Sequence, residues 1–151
     1  MRFAFGENLI DGVAEVSPVE TTFDATANDS NKSWIVPNGE MWKLNWARML
    51  YVSDATVGNR QAELLVKDEA GNSVYGVKAG AVQGASVTRT YNFVQQVSHE
   101  AAFVATEIQA PIPADLYLPA GFTLQLWDSS AIAAAADDVT VAFQVKVYKG
   151  A

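Results

Sequence analysis

The sequence contains no cysteine, so neither a disulfide nor a thiolate metal site is available to it. Positive charge is also scarce: ten Lys and Arg residues stand against 17 Asp and Glu, for a net charge of −7. Because phosphate binding needs clustered cations, this balance argues against a nucleic-acid partner. No stretch approaches about 18 uncharged apolar residues, so a membrane partner is not expected either.

The composition is that of a folded chain, with 50% hydrophobic and 18% charged residues. Its 151 residues suffice for one core, which we place at 31–151, preceded by an N-terminal arm or edge segment at 1–30. Within 13–23, β-branched residues predict an edge strand or extended segment, because Pro18 cannot donate to a ladder. The N-terminus lacks the apolar run of a signal peptide, which favours synthesis in the cytoplasm and a soluble protein.

The clearest early pattern is the period of two at 41–53, which predicts a strand with one buried face. A turn sequence at 57–61 and a second alternating run at 62–67 follow, so we predict a long β-pair. Arg48 falls on the apolar parity of the first strand. Either a bulge turns it outward, which is the favoured interpretation, or both faces are buried and Arg48 is paired.

Further strands are predicted at 74–77, 86–95, 122–128 and 139–147, whereas 97–112 suits either a short helix or an irregular strand. About eight strands and no long helix predict an all-β fold. We expect an antiparallel two-sheet sandwich that resembles a jelly roll. An up-and-down β-barrel is the alternative, because alternation does not distinguish open from closed sheets.

Three groups of residues could carry chemistry. His99 lies in Ser98-His99-Glu100, but adjacent side chains diverge and cannot form a triad, so a solvated loop histidine is predicted. The acidic pairs at 24 and 29 and at 137 and 138 lack the spacing of a calcium loop. We predict solvated turns there, although Asp137-Asp138 could also meet a partner.

Arg48 and Arg60 lie near Asp54 and Glu63 in sequence and could form an anion site. A structural role is favoured, in which the guanidinium caps loop carbonyls or pairs with a carboxylate. The tryptophans could stack on sugars, but strand parity favours a core position for three of them, namely Trp42, Trp46 and Trp127. No catalytic, cofactor or metal site is therefore predicted, and we do not expect an enzyme.

Four segments in order resemble small tailed-phage virion proteins: Trp34-Ile35-Val36-Pro37-Asn38-Gly39-Glu40-Met41-Trp42, Ala55-Thr56-Val57-Gly58-Asn59-Arg60-Gln61, Leu118-Pro119-Ala120-Gly121 and Ala136-Asp137-Asp138. The resemblance spans about 34–147 and implies a β-sandwich capsid component. It further implies a cement or decoration protein on the capsid surface of the virion, made in the host cytoplasm. The implied partners are the major capsid protein and, in a homotrimer, two further copies of the chain.

The N-terminal segment, with Arg2, Phe3 and Phe5, is a candidate partner-binding arm that orders on docking. A second function, from a different class, is a carbohydrate- or receptor-binding module of a phage fibre. Exposed tryptophans in a groove would favour that function, and their burial would favour cement.

Overall fold

A computed structural model describes residues 13–20, 32–98, 100–104, 106–130 and 136–150. All regular structure within them is β, and within 97–112 the residues 100–104 and 107–112 form strands, so the alternative of a helix is wrong. The strands are β1 Val13–Glu20, β2 Lys32–Ile35, β3 Glu40–Val52, β4 Ala62–Lys67, β5 Ser73–Lys78, β6 Thr88–Gln95, β7 Glu100–Val104, β8 Glu107–Ile112, β9 Tyr117–Leu118, β10 Thr123–Asp128 and β11 Asp138–Gly150.

The strands form two sheets. The larger has the order β1-β11-β3-β6-β8-β7, with β9 beside β3, and the smaller has the order β2-β10-β4-β5. Neither sheet closes on itself, so the sandwich is confirmed and the barrel alternative is wrong. One pair, β6 with β8, is parallel rather than antiparallel. The chain can make it because β7 lies beyond β8 and provides the crossover that parallel strands need.

Strand β1 confirms the edge strand predicted before residue 23. It lies at the edge of the larger sheet beside β11, and its register shifts between Val16 and Val19. Pro18 lies in this interruption, which is where a residue without an N–H group is tolerated in a sheet.

The predicted pairing of β3 with β4 is wrong, because the two strands lie in different sheets. The chain between them crosses the end of the sandwich instead of turning back in a hairpin. Arg60 exchanges two backbone hydrogen bonds with Gln83, at 2.8 and 2.9 Å, so the crossing segment pairs with the loop after β5. That loop provides the backbone hydrogen-bond partners that β3 would have provided in the predicted hairpin of β3 and β4.

The core lies between the two sheets. Every second residue of β11 from Val139 to Val147 faces it, which confirms the alternation predicted for this strand. Phe143 of β11 is 3% exposed and meets two tryptophans. Its ring centroid lies 4.8 Å from that of Trp34, edge to face, and 6.0 Å from that of Trp42. Trp34 belongs to the smaller sheet and Trp42 to the larger, so this aromatic cluster joins the two layers.

A β-bulge lies at Asn45, three residues before the position predicted from Arg48. Val145 pairs with Leu44 and Gln144 with Trp46, which leaves Asn45 unpaired in the ladder. Beyond the bulge the parity changes, and Arg48 points outward as predicted. Trp46 shares its face, so the prediction of a core position for Trp46 is wrong.

The core position predicted for Trp127 is also wrong. Leu124 and Leu126 of β10 are fully buried and face the core, so Trp127, which follows Leu126, lies on the opposite face of the smaller sheet. Its parity is that of the polar residues Thr123 and Gln125.

Candidate functional site

The most elaborate polar site in the described residues surrounds Arg60, whose side chain is fully buried. Its Nε donates to Asp137 Oδ2 at 2.9 Å, and its Nη2 donates to Asp137 Oδ1 at 3.1 Å and to Asp54 Oδ1 at 3.0 Å. Its Nη1 donates to the carbonyl oxygens of Thr56 and Gly58, both at 2.9 Å. Both structural roles predicted for this arginine, carbonyl capping and carboxylate pairing, are therefore confirmed.

Asp137 is the acidic centre of the site, and the prediction of a solvated turn there is wrong because its side chain is also fully buried. Besides Arg60, it accepts hydrogen bonds from the Tyr51 hydroxyl at 2.8 Å and the Asp54 amide at 2.7 Å. Burial alone raises the pKa of Asp137, but the donors Arg60, Asp54 and Tyr51 together outweigh it and hold that pKa below its usual value. The hydrogen bond to Asp137 in turn raises the pKa of Arg60.

A second layer of hydrogen bonds continues from Tyr51 through the buried side chain of Gln83. The Gln83 amide donates to the carbonyl oxygens of Tyr51 at 3.0 Å and Val87 at 2.8 Å, and its oxygen accepts from the Tyr91 hydroxyl at 2.9 Å. Burial raises the pKa of Tyr91 to about 12, so this hydroxyl keeps its proton at neutral pH. We call the set Arg60, Asp137, Asp54, Tyr51 and Gln83 the Arg60 network.

The Arg60 network fixes the loops at one end of the sandwich. It ties the segment between β3 and β4 to the end of β3, to the loop after β5 and to the residue just before β11. All three nitrogens of the guanidinium and both oxygens of Asp137 are engaged, which leaves no open position for a ligand or a metal. The loop that Arg60 holds presents the apolar side chain of Val57, which is 91% exposed, to solvent.

The other predicted site residues lie elsewhere. Arg48 is exposed on the outer face of the larger sheet, away from the Arg60 network. The predictions for Arg2, Phe3 and Phe5, for the acidic pair at 24 and 29, and for His99 lie outside the described residues. Within those residues, no group of three His, Cys, Asp or Glu side chains could hold a metal ion. The described part of the chain also has no helix long and apolar enough to cross a membrane.

The four segments that carry the resemblance meet in two pairs. At one end of the sandwich, Val36 and the segment at 118–122 exchange backbone hydrogen bonds: Val36 N–H donates to the Phe122 oxygen and Gly121 N–H to the Val36 oxygen, both at 2.9 Å. Gly39 and Gly121 adopt φ of +79° and +83°, which explains glycine in both turns. At the other end, Arg60 pairs with Asp137. These four segments thus close both ends of the fold.

The lowered pKa of Asp137 predicts an acid-sensitive contribution to stability. A carboxyl whose pKa is depressed by folding stabilises the protein above its unfolded pKa of about 4, and this contribution is lost as the pH falls through the folded value. The difference in unfolding free energy between the wild type and Asp137→Asn is therefore expected to be constant above about pH 5 and to shrink below about pH 4. Urea denaturation at a series of pH values measures it, and a difference that stays constant down to pH 3 would contradict the assignment.

No protein-family model and no curated protein matches the chain. Among solved structures, the infectious bursal disease virus Gx strain is similar at 9% identity and a TM-score of 0.31, with 90% of this chain and 38% of that chain covered. The VP2 subviral particle of the same virus gives 10% identity and 0.30, with 99% and 38% covered. Its derived T=1 particles give 13% and 0.32, with 99% and 36% covered. The chain thus spans little more than a third of each of these chains.

Proposed function

We propose that this chain is a structural virion protein, a capsid cement or decoration protein that binds the surface of a tailed-phage head through the major capsid protein. The observation that carries the proposal is the pairing of the four resemblance segments at the two ends of the sandwich. Residues that stand far apart in sequence but close the same fold are the ones that a structural family would share. The proposal gives the protein no catalytic role.

The loop end held by the Arg60 network supports a binding role. Val57 is an apolar side chain with 91% exposure, on a segment whose carbonyls at Thr56 and Gly58 are fixed by a buried guanidinium. A loop that is already ordered loses little conformational entropy when it docks, so an apolar contact there yields more net affinity. We place the Val57 loop in the contact with the capsid.

The fibre-module alternative receives less support from the tryptophans. Trp34 and Trp42 pack on Phe143, and Trp46 and Trp127 are also partly buried. A sugar-binding platform needs an aromatic ring with one face free. The packing of Trp34 and Trp42 favours cement, whereas Trp46 and Trp127, on the outer faces of the sheets, are the rings that a sugar could reach.

Two further parts of the proposal concern assembly. The chain forms a homotrimer, as the resemblance implies, and residues 1–12, with Arg2, Phe3 and Phe5, dock on a neighbouring chain. Deletion of residues 1–12 tests the arm, because full capsid binding by the truncated chain would refute it.

Val57→Asp is expected to weaken binding to phage heads by about tenfold, since it places a charge in an apolar contact at a cost of about 1.4 kcal/mol. Tagged chain is produced in infected cells, particles are purified on a density gradient, and bound tag is quantified. Asn59→Asp is the matched control, because it adds the same charge to an exposed residue of the same loop and should bind normally. Wild-type chain that never accompanies the particles would overturn the proposed function.

A further inference from the structure

The outer face of the larger sheet carries a regular array beyond the Asn45 bulge. The register pairs Arg48 with Ala142, Leu50 with Thr140 and Val52 with Asp138. Leu50 and Val52 are partly exposed and do not belong to the core cluster. An apolar strip of β3 thus lies beside a small and polar strip of β11 on the surface of the protein.

Two charges on this face lack partners. Arg48 is exposed and makes no hydrogen bond or ion pair with any described residue, in contrast to Arg60. Asp138 is partly buried, and its Oδ1 atom is buried without accepting a hydrogen bond from the described chain. The two residues stand four positions apart along the ladder, roughly 13 Å, so they do not satisfy each other within one molecule.

Beside Arg48 the face is concave. A depression of about 220 Å³ is lined by Arg48, Leu50, Thr140, Val141 and Ala142. It lies next to the small side chain of Ala142, on the Arg48 side of the Leu50–Thr140 pair. The lining is mainly apolar with a guanidinium at one end, which fits an acidic side chain that has an apolar neighbour.

We propose that this face binds the same face of a second copy, about a two-fold axis that lies in the plane of the interface, passes between Leu50 and Thr140 and is perpendicular to the line from Arg48 to Asp138. Such an axis exchanges the position of Arg48 with that of Asp138, so each guanidinium meets the carboxylate of the other copy. Asp138 of the second copy then lies at the Arg48 end of the depression. The exposed charge of Arg48 is paired, and the interface is isologous, as two-fold contacts are.

Charge complementarity singles out a second copy as the occupant. The chain carries a net charge of −7, so most contacts between copies repel each other. The paired stretches 48–52 and 138–142 carry one guanidinium, at the Arg48 end, and one carboxylate, at the Asp138 end. Two such faces are complementary when the Arg48 end of one lies on the Asp138 end of the other. The inference concerns contacts between copies and does not depend on capsid binding.

The test is the mass of the purified chain by sedimentation velocity and light scattering at low salt. We expect two copies, or six if the threefold contact of the proposed trimer also forms. Arg48→Asp and Asp138→Arg should each weaken the two-fold contact by at least tenfold, because each places like charges opposite one another. The double variant R48D/D138R restores opposite charges and should recover the wild-type mass.

Lys67→Asp is the matched control, since it makes the same charge change on the outer face of the smaller sheet and should leave the mass unchanged. Circular dichroism verifies that each variant folds. A wild-type mass of one or three copies would overturn the inference, as would a double variant that fails to recover. Wild-type chain that binds phage heads but has either of those masses would refute this interface and leave the proposed function standing.

Discussion

Arg60→Met is expected to lower the free energy of unfolding by about 3–5 kcal/mol. The substitution leaves the buried carboxylate of Asp137 without its cation, and it frees the carbonyl oxygens of Thr56 and Gly58, which Arg60 now caps. A domain of this size is stable by only about 5–15 kcal/mol, so the loss is a large part of the total. Urea denaturation at pH 7, followed by tryptophan fluorescence, measures it.

The double variant Arg60→Met with Asp137→Leu separates two effects: the loss of the ion pair, and the cost of leaving the Asp137 carboxylate buried without a cation. Because it removes both buried charges, it should be more stable than Arg60→Met alone. Lys67→Met is the control for loss of one positive charge, and it should change the stability by less than about 0.5 kcal/mol, since Lys67 is partly exposed at the end of β4. A cost below about 1 kcal/mol for Arg60→Met would show that the Arg60 network does not hold the fold together. No recovery in the double variant would show that the cost does not come from the unpaired charge of Asp137.

The strands that the sequence predicted best are those whose alternation is unbroken. In β11, the apolar residues at every second position from Val139 to Val147 all face the core, because no bulge interrupts the strand and one face is sealed by the second sheet. The sandwich follows from several such strands, since each has an apolar face to bury. This part of the fold depends on local pattern alone, which is what a single sequence contains.

The errors have long-range causes. The bulge at Asn45 is a two-against-one register with Gln144, and the Asn45 amide donates to the Gln144 side chain at 3.2 Å. These residues lie 99 positions apart. The local alternation around Arg48 therefore shows that the buried face of β3 changes parity, but it does not show at which residue the change occurs. In the same way, the pairing of β3 with β4 was inferred from sequence adjacency. The chain instead crosses to the second sheet, and Arg60 pairs with Gln83, 23 positions away, through two backbone hydrogen bonds.

The sequence predicts one part of the candidate site, the structural role of Arg60, but not its pairing with Asp137. A structural arginine at position 60 could be predicted because the turn around it supplies carbonyls and Asp54. The pairing with Asp137 could not be predicted, because Asp137 lies 77 residues from Arg60 and no periodic pattern links the two positions. The available signal was the recurrence of both segments in one resemblance, which indicates that they serve the same structure.

Phe143→Ala is expected to destabilise the protein by about 3–5 kcal/mol, because it removes the ring that joins the two sheets. Phe143 is 3% exposed, and it packs edge to face on Trp34 at 4.8 Å and beside Trp42 at 6.0 Å. The two tryptophans belong to different sheets, so the cavity would lie on the boundary between the layers and neither sheet could close it without moving as a whole. The urea midpoint and the near-ultraviolet circular dichroism of the tryptophans both report the change.

Trp46→Ala is the informative comparison, because simple alternation along β3 would place Trp46 in the core with Trp42. The bulge at Asn45 turns it to the outer face, outside the core cluster, so its loss should cost less than about 1.5 kcal/mol. Phe143→Leu, which keeps most of the buried volume, should fall between the two. If Trp46→Ala were as costly as Phe143→Ala, then Trp46 would be a core residue and the assigned register of β3 against β11 would be wrong. A large loss confined to Phe143→Ala would instead support both the bulge and the aromatic contact between the sheets.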